Sequence, residues 1–272
     1  MTRKTSFLFL AILLFQTATA HADSLKDALT HKYKNQLLAL RSPFASGRDQ
    51  KFDSSGHSLS PAKSSGWLLY GGIYVEKVNL SSDTLKLEGH RATYYVEKNT
   101  GKRLLLTFSK TLRIEIHLDH PLNSPDDADA IMGRIFFAGA DAIDHIRPEL
   151  RRADDNIPDS EIYHVSTPAF TRTGANTSDD KSGKVLPPRP TYTPEPEFSE
   201  QARHAKYQGT IVLGIIVDKA GKISRIRLER PLGMGLDENA MEEVQKWRFA
   251  PATRNGEPVA VAMNIEVSFN LY

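Results

Sequence analysis

The chain of 272 residues contains no cysteine. Disulfides, thiolate metal sites and a cysteine nucleophile are therefore excluded together. The formal net charge is only +2, so the overall charge gives no reason to expect a nucleic acid as a partner. The length is sufficient for one or two domains with a sizeable core.

Sequence motifs of catalysis and cofactor binding are also missing. There is no P-loop, no H-E-x-x-H and no G-x-G-x-x-G. His117 and His120 are three residues apart, which places them on opposite faces of a strand, and no third ligand has a suitable spacing. Ser64-Ser65-Gly66 lacks the G-x-S-x-G frame of a nucleophile elbow. We therefore predict a protein that is not an enzyme, with no cofactor and no metal.

Apolar runs are short, and the longest opens the chain. Met1–Lys4 is basic, Ser6–Ala18 is apolar, and Ala20-His21-Ala22 has the A-x-A pattern of a signal peptidase site. We predict that residues 1–22 are a cleavable signal peptide and that the protein is exported to the periplasm. The alternative is an uncleaved anchor in the inner membrane that faces the periplasm, although the run is shorter than the ~20 residues of a spanning helix.

Residues 23–170 have the pattern of a front domain that is mostly antiparallel β, with helices at its two ends. Apolar residues from Leu25 to Tyr33 follow a helical spacing. The strand Leu112–Leu118 alternates apolar and polar residues, as expected for a sheet with one wet face. Ser124-Pro125 then has the pattern of a helix start, with a capping residue and a proline at the first position. The family of this domain is not recognised.

The segment 171–195 is predicted to be a linker. Thr171–Lys184 is rich in small polar residues and has almost no large apolar ones, which is typical of a flexible chain. The proline-rich part, Pro187–Pro196, is typical of a polyproline-II spacer.

Residues 196–272 predict an α+β domain in which a helix packs on one face of a three-stranded antiparallel sheet. The predicted strands are Thr210–Val217, Lys222–Glu229 and the alternating Val259–Phe269. On the second strand Arg225 and Arg227 lie on the face opposite the apolar residues. The predicted helix runs from Leu236 to Trp247, with acidic residues in its first turn.

This last stretch resembles the C-terminal domain of the TonB family of energy transducers. The motifs that carry the resemblance are P-x-F-S-E-x-A (196–202), G-T-I-V-L with V-D-x-x-G-K-I (209–223), G-L-D-E-N-A (235–240), W-R-F-x-P-A (247–252) and G-x-P-V with the closing strand (256–269). The resemblance implies a protein-binding module. In the family, the TonB box of an outer-membrane receptor is added as a strand to the edge of this sheet, and ExbB and ExbD supply force from the proton gradient.

The resemblance also implies the site. An edge strand offers unpaired N–H and C=O groups to an extended peptide. The residues expected to pair with the receptor lie on the last strand, namely Val259, Val261, Met263, Ile265 and Val267. Arg248 and the segment around Phe198 are expected to approach the receptor as well, whereas Trp247 is expected in the core.

Two departures from the family weigh against force coupling by ExbB and ExbD. The apolar start contains no histidine inside the run, and the proline-rich spacer is short. The alternative function is therefore an unanchored periplasmic adaptor that binds an envelope protein or peptidoglycan. The same edge strand would also allow a homodimer.

Overall fold

The structure, a computed structural model, describes residues 24–45, 49–60, 66–165 and 184–271. The predicted signal peptide lies outside these residues. Within them, the fold is mixed α+β, as the sequence predicts. None of the helices in the described ranges has the length and apolar character needed to cross a membrane.

Four α-helices occur in the described ranges: α1 (24–33), α2 (Pro125–Ile135), α3 (Glu200–His204) and α4 (Leu236–Val244). Two short 3₁₀ helices, Ala142–His145 and Asp159–Glu161, also occur there. The strands of the first part are β1 (Leu37–Leu40), β2 (Phe44–Ala45), β3 (Gln50–Asp53), β4 (Trp67–Tyr70), β5 (Gly72–Leu80), β6 (Thr84–Val96), β7 (Arg103–His117), β8 (Phe136–Ala138), β9 (Arg147–Arg152) and β10 (Ile162–His164). Those of the second part are β11 (Val185–Leu186), β12 (Arg189–Tyr192), β13 (Gly209–Val217), β14 (Ile223–Arg230), β15 (Arg248–Ala250), β16 (Ala252–Arg254) and β17 (Glu257–Phe269).

The first sheet has the strand order β3-β7-β6-β5-β1-β8. It is antiparallel except for the β3–β7 pair. The alternation predicted for Leu112–Leu118 is confirmed, since Ile114 and Ile116 are fully buried. The predicted start of α2 is confirmed too, because the Ser124 side chain accepts from the Asp127 N–H while the Asp127 side chain accepts from the Ser124 N–H.

The predicted core of the C-terminal region is confirmed. Strands β14, β13 and β17 form an antiparallel sheet, and α4 packs its apolar residues on one face of it. The predicted helix is too long, because α4 ends at Val244. The residues after it form strands instead: β15 pairs with β12, and β16 forms a hairpin with β17. Strands β11 and β12 thus place part of the predicted linker against this domain.

One sheet runs through both parts of the chain, which the sequence did not predict. Strand β14 pairs with β9, β9 pairs with β4, and β4 pairs with β2. At the junction Ile226 of β14 lies opposite Leu150 of β9, and both are buried. The front segment therefore extends the C-terminal sheet directly.

Helix α4 provides a second junction between the two parts. The Glu238 carboxylate is buried and accepts hydrogen bonds from the N–H and the hydroxyl of Ser109, at 3.0 and 2.6 Å, and from the Lys110 N–H at 3.2 Å. Lys110 also forms an ion pair with Glu242 at 2.7 Å. Since Ser109 and Lys110 belong to β7, the helix is held by the first sheet as well as by its own.

Candidate protein-binding edge

Strand β17 carries the candidate site, and its two sides differ. On one side it pairs with β13 along residues 261–269. We call the other side the outer edge. There β16 pairs with residues 257–259 and β10 pairs with residues 260–262. Among the described residues, no strand pairs with the outer edge along Ile265–Phe269.

A hydrogen bond from β10 shows which backbone groups point to the outer edge. The Val165 N–H donates a hydrogen bond to the Ala262 carbonyl at 3.1 Å. The N–H and C=O of one strand residue point to the same side, and successive residues alternate. The regular register from Val261 to Phe269 therefore turns the backbone groups of Glu266 and Ser268 outward.

This geometry changes the residues expected to pair with a partner. The sequence-based expectation named Val259, Val261, Met263, Ile265 and Val267. From Val261 onward, the backbone groups of these odd-numbered residues face β13, and their side chains are buried in the hydrophobic core. That they bind a partner remains a prediction. Any backbone pairing beyond Ala262 would use the even-numbered residues instead, whose polar side chains Glu266 and Ser268 are exposed.

The other two predicted site residues lie apart from the outer edge. Phe198 is half-buried, and its ring meets that of Phe269 edge-on with centroids 5.3 Å apart. Arg248 is exposed on β15, where its guanidinium donates to the Trp247 carbonyl at 2.7 Å. Trp247 is buried, as predicted, and its indole N–H donates to the Pro194 carbonyl at 3.0 Å. Phe198 therefore supports the end of β17, whereas Arg248 does not join its ladder.

Strand β10 occupies the outer edge in a parallel orientation. Ile162, Tyr163 and His164 lie opposite Ala260, Val261 and Ala262. Tyr163 and Val165 pack against the core. The Tyr163 hydroxyl also accepts a hydrogen bond from the Arg254 guanidinium at 2.9 Å. These contacts fix β10 at the position where an added strand would lie.

The loop before β10 is held by a buried arginine. The Arg225 side chain is 7% exposed and contacts Asp155 at 2.5 Å. It also donates to Asp159 at 2.5 Å and to the Ile157 carbonyl at 2.6 Å. Burial by itself lowers the pKa of Arg225, but the hydrogen bonds to the two carboxylates outweigh it and raise that pKa. The hydrogen bond from Arg225 to Asp159 also lowers the pKa of the exposed Asp159 carboxyl group.

A cavity of about 660 Å³ lies beside β10 on the sheet face opposite α4. Its lining includes Ile162 and His164 from β10, Met263 from β17 and Arg227 from β14. Within the described ranges, no group of three or more histidine or acidic side chains could hold a metal ion. The cavity provides open space next to the strand edge.

Comparisons with known proteins show which family the region around this edge resembles. The family model of the Gram-negative bacterial TonB protein C-terminal matches residues 194–271. These residues are a TonB C-terminal domain. A relative named Protein TonB from Xanthomonas campestris pv. campestris is 31% identical over 77 residues, which is 28% of this chain and 34% of the relative. Protein TonB from Vibrio cholerae is 31% identical over 78 residues, covering 28% of this chain and 32% of that protein.

The similarity is confined to the TonB C-terminal domain. The match spans about a third of the length of these curated relatives, as the 34% and 32% coverages show. A solution NMR structure of the Pseudomonas aeruginosa TonB CTD overlaps 34% of this chain and 90% of its own, with 21% identity and a TM-score of 0.27. Strands β9 and β10 lie outside residues 194–271, yet both pair with the sheet of the TonB C-terminal domain.

Sequence reasoning missed β10 and the role of Arg225. A three-residue parallel strand has no periodicity that distinguishes it from a loop. Arg225 was placed correctly on the face opposite the apolar residues, but nothing in the sequence pairs it with Asp155, which is 70 residues away. The sequence feature that could have indicated the position of this loop is its group of acidic residues, Asp154, Asp155 and Asp159. Such groups are usually solvated, so the feature alone does not predict a buried arginine partner.

Proposed function

We propose that this chain is a TonB-like periplasmic protein that binds segments of outer-membrane receptors by β-augmentation, in energy-dependent transport across the outer membrane. The TonB C-terminal domain at residues 194–271 gives the class of function. The observation that carries the proposal is the outer edge of β17 along Ile265–Phe269, to which no described strand is paired.

The chemistry of this edge supports an extended peptide as the partner. Backbone N–H and C=O groups that point away from a sheet pair readily with another strand. The side chains between Ile265 and Phe269 alternate between buried apolar and exposed polar, so the edge itself offers hydrogen bonds more than apolar contact. A partner would add its own strand to the sheet, and the binding step involves no catalysis.

The proposal is tested by removing one outward donor. In Ser268→Pro the outer edge loses an N–H, while the ladder with β13 keeps the donors of Val267 and Phe269. We expect the variant to bind a synthetic TonB-box peptide about tenfold more weakly than the natural chain, as measured by isothermal titration calorimetry. Ser268→Ala is the matched control, because it removes the hydroxyl and keeps the N–H.

The two variants together decide the matter. Near-natural affinity in Ser268→Ala together with weak binding in Ser268→Pro supports pairing at the outer edge. Equal affinity in both variants, with circular dichroism showing that both are folded, would contradict it. So would the absence of any peptide binding by the natural chain.

An unanchored periplasmic adaptor is the second candidate, and one observation favours it. Strand β9 of the front segment is paired with β14, so the TonB C-terminal domain is joined to a folded neighbour and not only to a spacer. Mass spectrometry of the native protein distinguishes the two candidates. A mature chain that begins at Asp23 supports the adaptor, whereas an intact Met1 recovered with the inner membrane supports the anchored transducer.

A further inference from the structure

We propose that β10 is a built-in occupant of the binding edge, and that a partner strand must displace it in order to pair with the whole outer edge of β17. This inference rests on the proposed function, because it concerns the regulation of the same edge. Strand β10 and a partner strand would both form hydrogen bonds with the outward backbone groups of β17, so the two compete for these groups.

The position of β10 carries the first step of the argument. Its pairing ends at the hydrogen bond from Val165 to Ala262, three residues before the stretch Ile265–Phe269 begins. A partner confined to that stretch would have only the five residues Ile265–Phe269 of β17 to pair with. An ordinary strand has about five or six residues, so all five would have to be paired. With β10 removed, the outward groups of Ala260 and Ala262 become available as well, and the pairing surface is longer.

The side chains around β10 carry the second step. The β17 residues opposite Ile162 and His164 are Ala260 and Ala262. Alanine has little apolar surface, so their contacts with β10 contribute little to holding it. The strand depends on Tyr163 and Val165, which pack against the core, and on the loop that Arg225 holds. An incoming strand with apolar side chains two residues apart could replace both anchors.

The cavity beside β10 carries the third step. It has a volume of about 660 Å³, and its lining includes Ile162, His164 and Val165 together with Arg227 of β14. A chain segment can therefore approach the strand on the face opposite α4 before β10 has left.

The test uses the absence of natural cysteine. His164 and Ala262 lie directly opposite each other, at the separation of neighbouring strands, which a disulfide can bridge. In His164→Cys/Ala262→Cys, oxidation locks β10 onto the edge, and reduction releases the lock. We expect the oxidised protein to bind a synthetic TonB-box peptide at least about tenfold more weakly than the same protein when reduced.

A second cysteine pair is the matched control. Asn79 and Lys86 lie opposite each other on β5 and β6, both exposed and both outside the C-terminal domain. In Asn79→Cys/Lys86→Cys, oxidation should leave peptide affinity unchanged. Mass spectrometry of the intact proteins establishes the bridge in each case.

A release variant gives an independent measurement that does not depend on a disulfide. Tyr163→Ala/Val165→Ser removes the two apolar anchors of β10 and leaves β17 intact. We expect it to bind the TonB-box peptide several-fold more tightly than the natural chain. We also expect it to bind a synthetic peptide with the sequence of Asp159–Val165, which the natural chain should not bind.

The outcomes separate this inference from the proposed function. If the TonB-box peptide binds equally well to the locked and reduced proteins, β10 does not compete and the inference is wrong, while the proposed function stands. If the TonB-box peptide binds to none of the proteins but the Asp159–Val165 peptide binds the release variant, the edge accepts strands and the proposed partner is wrong. If neither peptide binds the release variant, the inference is overturned.

Discussion

Arg225 illustrates how the surroundings of one residue decide what it does. Its place on β14, with Arg227 two residues later, is typical of a solvated sheet face. In the structure the loop before β10 covers it, so that its side chain is 7% exposed whereas that of Arg227 is 56% exposed. Alternation along the strand predicted the face for both residues. It could not predict burial, because the covering loop is distant in the sequence.

Replacement of Arg225 should therefore cost much more than replacement of Arg227. Arg225→Ala leaves Asp155 buried with Arg151 as its one remaining ion-pair partner among the described residues, at 3.0 Å. We expect the free energy of unfolding to fall by about 2–3 kcal/mol. Arg227→Ala, which breaks the ion pair between the exposed Arg227 side chain and Glu229, should cost less than about 1 kcal/mol.

Urea unfolding of both variants measures the two costs on the same scale. A loss in Arg225→Ala no larger than that in Arg227→Ala would mean that the contacts with Asp155, Ile157 and Asp159 do not hold the loop.

At the scale of the element, the β13–β14 hairpin, β17 and the start of α4 follow from local sequence. Apolar alternation predicts β13, β14 and β17, and each has bounds close to the expected ones. Strand β15 does not follow from local sequence. It forms because residues after α4 meet β12 and the β13–β14 turn, where the Phe249 N–H donates to the Gly221 carbonyl at 2.8 Å.

Two glycines in turns test this packing. Gly221 and Gly256 both have a positive φ, 75° and 86°. A Cβ on Gly221 would lie 1.8 Å from the Phe249 carbonyl oxygen, whereas a Cβ on Gly256 would meet no atom within 4 Å. We expect Gly256→Ala to cost about 1 kcal/mol through backbone strain alone, and Gly221→Ala to cost about 3 kcal/mol or more because β15 must also move.

Thermal or urea unfolding of the two alanine variants gives the comparison. Similar losses in both would show that β15 can leave the turn at little cost, which would contradict the close approach of Gly221 to Phe249.

At the scale of the whole molecule, the sequence predicts the parts better than their connections. The TonB C-terminal motifs identify the second part, and the β texture of the first part is confirmed. The pairing of β9 with β14 and of β10 with β17 joins residues far apart in sequence. Such pairings depend on the shapes of two surfaces that form when each part folds. A local sequence pattern therefore does not predict which strands will pair.

The joined sheet predicts that both parts unfold together. The chain has two tryptophans, Trp67 on β4 and Trp247 in the C-terminal domain. In Trp67→Phe and Trp247→Phe, the remaining tryptophan reports on one part only. We expect the two fluorescence transitions in urea to share one midpoint, because unfolding of either part exposes the β9–β14 junction.

Far-UV circular dichroism of the same two variants is the control, because it follows the unfolding of the whole chain. It therefore shows any change of stability that the substitution itself causes. Fluorescence midpoints that differ while the dichroism curves show two steps would mean that the parts unfold separately.

The β9–β14 junction has a consequence for how the chain is held together. The backbone also passes from one part to the other through residues 166–183, but the hydrogen-bonded ladder and the Glu238 contacts already link the two parts. The two parts are thus joined both by the covalent backbone and by these noncovalent contacts. A single proteolytic cut within residues 166–183 would leave two fragments that stay associated, and a pull on the front segment would be borne first by strand pairing.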